Sequence, residues 1–180
     1  MAGCPETYRY ARFGFRLCHF CVVIHVPSAY THGKPLGLIR AGGSAGLPKK
    51  KGSSCVVVGL GTDLIEIARI ERSLQRFGEA FLRRIYTPGE IAYCMAKKNS
   101  AESLAARFAA KEAAAKALGT GISHGVGWRE FEVRRAPGQR PELYLSGRAA
   151  EIAAALGITR MSLSLSHSRE LSIAVVVAEG

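Results

Sequence analysis

The sequence predicts one domain of mixed helix and strand over residues 55–180, preceded by a basic extension. Three observations carry this. A β-branched apolar run opens the domain at Val56-Val57-Val58; apolar residues then recur at helical spacing as far as Leu118; and the last third returns to strand patterns around a Pro137-Gly138 hairpin signal. A length of 180 residues favours one domain over two. With 48% hydrophobic and 22% charged residues, collagen, a coiled coil and wholesale disorder are excluded.

The net charge is +11, but it is unevenly spread. Residues 1–54 hold eight basic residues and the single acid Glu6, whereas the remaining 126 residues hold 17 basic and 13 acidic. The basicity is mostly a property of the extension, which lacks sustained periodicity and ends in the Gly/Ser/Lys-rich stretch Ala41–Ser54. Its apolar run, Phe13–Val26, is too short for a membrane span and carries Arg16, His19 and His25. Cys18-His19-Phe20-Cys21 has the cysteine spacing of a zinc knuckle, but His25 leaves almost no loop to fold around a metal, so the spacing is read as chance. Five cysteines, Cys4, Cys18, Cys21, Cys55 and Cys94, argue against a disulfide framework and for a reducing compartment, the cytoplasm. The extension reads either as an organellar transit segment or as upstream sequence translated only on paper, with a start at Val56.

The first strand, Val56–Gly61, carries two glycines that allow close backbone approach. Asp63 is expected where it ends. Leu64, Ile67, Ile70, Leu74 and Phe77 then mark an amphipathic helix, capped by Thr62 or Asp63 and stopped by Gly78. Arg69, Arg72 and Arg76 form one stripe beside its apolar face, with no acid four residues on from Arg72 or Arg76. Such a stripe is either a solvated face or a dock for an acidic partner.

Thr87-Pro88-Gly89-Glu90 has the N-cap, N1 proline and N3 acid of a helix start. A third helix runs from about Ala101 to Leu118 and closes at Gly119-Thr120-Gly121. Leu104, Phe108 and Ala115 define its apolar stripe, and Glu112 falls about 40° from Phe108, at the margin of the buried face. Glu112 with Lys116 is either an ordinary i,i+4 pair of about 0.2–0.5 kcal/mol or an acid held at a cleft among cations. Arg107 and Lys111 make a second basic pair on the same helix.

Glu130–Arg135 and Glu142–Leu145 are expected to form a hairpin, and Ser146 to cap a helix over Gly147–Leu156. Met161–Ser166 alternates with period two and meets His167; Leu171–Ala178 is a final apolar strand. His167 at a strand end is either a plain turn residue or a functional one.

Three stretches carry a resemblance to a known family. Val58-Gly59-Leu60-Gly61-Thr62-Asp63-Leu64-Ile65-Glu66-Ile67, the run from Arg107 to Gly121 with Lys111-Glu112 and Lys116 at its centre, and Leu163-Ser164-Leu165-Ser166-His167-Ser168 together resemble the bacterial holo-[acyl-carrier-protein] synthases, the small-type 4′-phosphopantetheinyl transferases. The resemblance covers nearly all of residues 56–180. It implies an α+β fold, an antiparallel sheet packed with helices, assembled as a homotrimer with active sites between subunits. It also implies transfer of the 4′-phosphopantetheine arm of coenzyme A onto a serine of apo-acyl carrier protein, in support of fatty acid biosynthesis. By the same resemblance Asp63 and Glu112 are ligands of Mg²⁺ and the catalytic carboxylates. Arg107, Lys111, Lys116 and His167 line the coenzyme A site, and Arg69, Arg72 and Arg76 dock the acidic carrier protein.

Two rivals belong beside this reading. A nucleic-acid-binding module would suit the Lys49-Lys50-Lys51 run, but the domain itself is only mildly basic and shows no recognised nucleic-acid motif. A transferase serving secondary-metabolite synthases is usually twice as long, as two fused copies, and no internal repeat is visible. The expectation is therefore no nucleic-acid partner and no membrane.

Overall fold

The computed structural model describes residues 56–180 apart from His124. The Cys18/Cys21 spacing, the basic extension and its linker lie outside the described residues. The order of elements is β1 (Val57–Glu66), α1 (Ile67–Ile85), α2 (Pro88–Met95), α3 (Ser100–Ala117), a 3₁₀ turn (Trp128–Glu130), β2 (Phe131–Arg134), β3 (Glu142–Leu145), α4 (Gly147–Ala155), β4 (Arg160–His167) and β5 (Leu171–Glu179). This is the expected α+β arrangement. Strands β1, β5 and β4 form one antiparallel sheet in that order, and β2 with β3 forms a separate hairpin around Pro137-Gly138.

Helix α3 is the centre of the domain. Between Leu104 and Leu118 every residue but Ala106, Glu112 and Lys116 is buried. Its run of alanines lets it lie flat on the sheet, and the sheet meets it with glycines. A Cβ at Gly59 would collide with the carbonyl oxygen of Ala117, and one at Gly61 with that of Ala113. Only hydrogen at these positions permits the backbone contact.

Two boundaries differ from the sequence expectation. β1 does not end before Asp63 but continues to Glu66, because β5 pairs with it down to Glu66↔Leu171. Gly61 and Ile65 alternate inward with Asp63 between them, so the period-two pattern prevails over the helical one that Leu64 and Ile67 also satisfy. The helix therefore starts at Ile67, after Glu66, and no side chain caps it. It also resumes beyond Gly78, which takes a left-handed φ of 50° and kinks α1 without ending it. Phe81, Leu82 and Ile85 beyond the kink are buried, and this apolar set holds the second segment on the core.

The capping box at Thr87 forms as its residues suggest: Thr87 Oγ1 accepts from the Glu90 N–H at 3.3 Å, and Glu90 Oε2 accepts from the Thr87 N–H at 2.9 Å. On the sheet face away from α3, Val58, Leu60 and Leu64 of β1 and Leu171 and Ile173 of β5 are exposed. Among the described residues no helix is long and apolar enough to cross a membrane.

Candidate active site

The closest approach of α3 to β1 also brings their polar groups together. Past Gly61 the next residue on the inward face of β1 is Asp63, and here the helix offers Lys116 in place of another alanine. Lys116 Nζ donates to Asp63 Oδ1 at 2.9 Å and to the Thr62 carbonyl oxygen at 3.0 Å. The two side chains are about equally shielded, 15% and 16% exposed. Glu112 lies one turn before Lys116 on the same stripe, half-buried. Asp63 and Lys116 thus meet at the margin of the contact between sheet and central helix, with Glu112 one turn away along α3.

Burial pushes the Asp63 carboxyl above its ordinary range. The Lys116 hydrogen bond and charge pull the other way, as does the charge of Arg69. The start of α1 is therefore electrically part of the same site. Arg69 is half-buried, while Arg72 and Arg76 are exposed. Arg72 faces Glu66 Oε2 at 3.9 Å, an acid contributed by the end of β1 and not by the helix, and the Arg76 guanidinium lies 5.0 Å from the centre of the Phe77 ring.

Arg107 and Lys111 do not join this edge. Lys111 is fully buried, and its ammonium donates to Glu90 Oε2 at 2.7 Å, to the Trp128 carbonyl at 3.1 Å and to the Phe131 carbonyl. All three of its N–H bonds are made inside the protein, tying α3 to α2 and β2. Glu90, read from the sequence as a helix start alone, is the counter-ion, and its Oε1 also accepts from the Val133 N–H at 3.0 Å. Arg107 is 5% exposed, with its guanidinium 4.2 Å from the centre of the Tyr93 ring and Nη1 donating to the Ser103 carbonyl at 3.3 Å. Its Nε makes no hydrogen bond among the described residues. Near it, burial raises the Cys94 thiol to about 11, which rules that cysteine out as a nucleophile at neutral pH. His167 ends β4, half exposed, with Nε2 3.0 Å from Glu102 Oε1. The sequence pattern contains no sign of the Glu102 and Glu90 partnerships, since both cross between distant segments.

Residues 59–176 match the model of the 4′-phosphopantetheinyl transferase superfamily. The holo-[acyl-carrier-protein] synthase of Koribacter versatilis is 52% identical over 124 residues, which are 69% of this chain and 99% of that one. Among solved structures, the holo-[acyl-carrier-protein] synthase of Neisseria meningitidis aligns with a TM-score of 0.64 at 40% identity, covering 69% of this chain and all of the other. The Helicobacter pylori synthase, solved in complex with coenzyme A, aligns with a TM-score of 0.59 at 37% identity, over 66% of this chain and 98% of that one. On the strength of these matches, which span the strand, the central helix and the β4 motif alike, the chain belongs to the 4′-phosphopantetheinyl transferase superfamily and, within it, to the holo-[acyl-carrier-protein] synthases.

Proposed function

We propose that the chain transfers 4′-phosphopantetheine from coenzyme A to a serine hydroxyl of apo-acyl carrier protein, releasing adenosine 3′,5′-bisphosphate, in support of fatty acid biosynthesis. The observation that carries the reading is the meeting of Asp63 and Lys116 across the glycine-mediated contact of β1 and α3, with Glu112 one turn away. Relatives at about half identity are named for this reaction.

The nucleophile is the carrier's serine oxygen, so the protein needs no nucleophile of its own. That oxygen bonds to the phosphorus bearing the pantetheine arm, the pyrophosphate bridge breaks, and the bisphosphate leaves with the bond's electrons. The hydroxyl proton passes to a carboxylate, Asp63 or Glu112. Among the described residues no group of three or more Asp, Glu, His or Cys forms a complete metal cage. Two hard carboxylates completed by pyrophosphate oxygens and water fit Mg²⁺, which Asp63 and Glu112 would hold. Bound there, Mg²⁺ would neutralise pyrophosphate charge. Lys116 and His167 contact the coenzyme A phosphates, while Arg107 and Lys111 hold the helix that presents them.

Arg69, Arg72 and Arg76 form the dock for the acidic carrier, with Arg69 bringing the dock up to the site. The exposed apolar face of the three-stranded sheet is where copies of the chain pack as a homotrimer. The catalytic unit is residues 55–180, residues 1–54 are an extension to it, and the enzyme works in the cytoplasm.

Mass gain of an apo-acyl carrier protein incubated with coenzyme A and Mg²⁺ tests the reading. Asp63→Asn and Glu112→Gln should each lower transfer at least about a hundredfold, or roughly 2.7 kcal/mol of barrier, with the fold intact by circular dichroism. Near-normal turnover by both variants would remove these carboxylates from the site. No transfer by the parent chain, combined with retention on a nucleic-acid column, would favour the binding-module reading.

A further inference from the structure

Asp63 is assigned a divalent ion and Lys116 a phosphate, yet in the ligand-free chain the two side chains hold each other. Lys116 Nζ donates to Asp63 Oδ1 at 2.9 Å and to the Thr62 carbonyl oxygen at 3.0 Å. A carboxylate oxygen and a carbonyl oxygen thus converge on one cation, and hard oxygens of this kind are what Mg²⁺ also takes. A Mg²⁺ on Asp63 Oδ1, at about 2.1 Å, would stand at most about 5 Å from the ammonium, close enough for the two positive charges to repel strongly at a site shielded from water. The lysine can give way. Its side chain is 15% exposed, its bond to Thr62 lies at the surface, and its four-carbon stem is flexible. Lys111, by contrast, has three acceptors and no exposed side-chain surface.

We infer that Lys116 is a place-holder for the metal: in the ligand-free chain its ammonium occupies the position on Asp63 that a divalent ion takes, and it moves from Asp63 to a coenzyme A phosphate when the ion arrives. The inference rests on the proposed metal and coenzyme A site and deepens it. Before either ligand binds, the ammonium balances a carboxylate that is largely buried. Ion and ammonium compete for Asp63, so the chain alone binds the ion weakly. Coenzyme A relieves that competition by offering Lys116 a phosphate, and by linkage the ion must tighten coenzyme A binding in return. Removing the ammonium therefore acts with opposite signs, strengthening the metal and weakening coenzyme A. A lysine that only braced α3 against β1 would weaken both when removed.

The test titrates the full chain, without coenzyme A, with Mn²⁺, which takes the same oxygen donors and whose unbound fraction is read by electron paramagnetic resonance. Lys116→Gln should bind Mn²⁺ about tenfold tighter than the parent or more, the worth of one charge-assisted hydrogen bond that no longer competes. Lys116→Arg, which keeps the charge, should stay near the parent. Saturating coenzyme A should tighten Mn²⁺ binding more in the parent than in Lys116→Gln. Circular dichroism checks that each variant is folded. Equal or weaker Mn²⁺ binding by Lys116→Gln would overturn the inference, as would binding by neither chain. Asp63→Asn in the Lys116→Gln background separates this from the underlying site. If Mn²⁺ binds there as tightly as before, Asp63 holds no metal and the proposed site fails; binding that needs Asp63 but ignores Lys116 sinks the place-holder alone.

Discussion

Lys111 and Lys116 stand five residues apart on α3, about 140° around the helix, and each holds a carboxylate brought by another segment. The bond lengths hardly differ, 2.7 Å to Glu90 and 2.9 Å to Asp63. Burial separates them. Neither Lys111 nor Glu90 has any exposed side-chain surface, whereas Lys116 and Asp63 keep a sixth of theirs. Burial pulls the Lys111 ammonium below the ordinary lysine range, against the attraction of Glu90, so the interior tolerates the charge only because every donor is matched. Lys116 meets two acceptors, Thr62 O and Asp63 Oδ1, at the margin of the contact between α3 and β1. A fully satisfied buried pair is a strut; a similar pair with partial exposure can exchange partners and take hold of a phosphate.

The sharpest way to break this comparison is to remove one member of the buried pair. Glu90→Gln leaves an uncompensated ammonium in the core and should cost about 3–5 kcal/mol of stability in denaturant titrations at fixed chain concentration. Adding Lys111→Met to Glu90→Gln should recover part of that loss, because no charge then remains buried. A cost under about 1 kcal/mol for Glu90→Gln would mean that the pair is not a strut.

The rim pair should behave in the opposite way. Lys116→Gln is expected to raise the coenzyme A KM about ten- to a hundredfold, equivalent to roughly 1.4–2.7 kcal/mol of binding, while stability moves by less than about 1 kcal/mol. Steady-state kinetics and a melting curve of one preparation measure both. Unfolding as severe as that of Glu90→Gln would erase the distinction between the two lysines.

The smallest effect lies where the buried network reaches the surface. Glu132 Oε2 accepts from Arg134 Nη2 at 2.7 Å and Oε1 from Thr87 Oγ1 at 3.1 Å, and these bonds, Arg134 first, hold its carboxyl below the ordinary value of 4.5. The ionised form is thus favoured in the fold. Its contribution is present above pH 4.5 and is lost as pH falls through the lower folded value. Glu132→Gln should therefore cost about 0.2–1 kcal/mol at neutral pH, and the gap to the parent should close on acidification. A gap that persists unchanged into acid would assign the loss to packing.

Much of the site was legible before any coordinates. The glycines at 59 and 61 announced a close backbone approach, and Glu112 on the helical wheel fell at the edge of the buried face, where the structure has it half-buried. The motif singles out Asp63 as a candidate carboxylate but not its place inside β1, because Leu64 and Ile67 fit a helix as well as a strand and only pairing with β5 decides between them. Gly78 was read as a stop; the buried Phe81, Leu82 and Ile85 show that a kink serves when the next segment has its own apolar face.

By itself the sequence determined whatever depends on neighbours along the chain: the capping box at Thr87, the hairpin around Pro137-Gly138, the alternation of β4 and the alanine-rich central helix. Only the tertiary structure decided which cations are buried in the core and which keep some exposure where α3 meets β1. From the sequence Arg107 and Lys111 are simply a second basic pair on the helix, yet α2, β2 and the 3₁₀ turn close over that side of α3 and supply Tyr93, Glu90 and two backbone carbonyls. The physical reason is that a charge is affordable in the interior only with matched partners, and those partners come from segments about 20 residues away in sequence, beyond the reach of any local pattern.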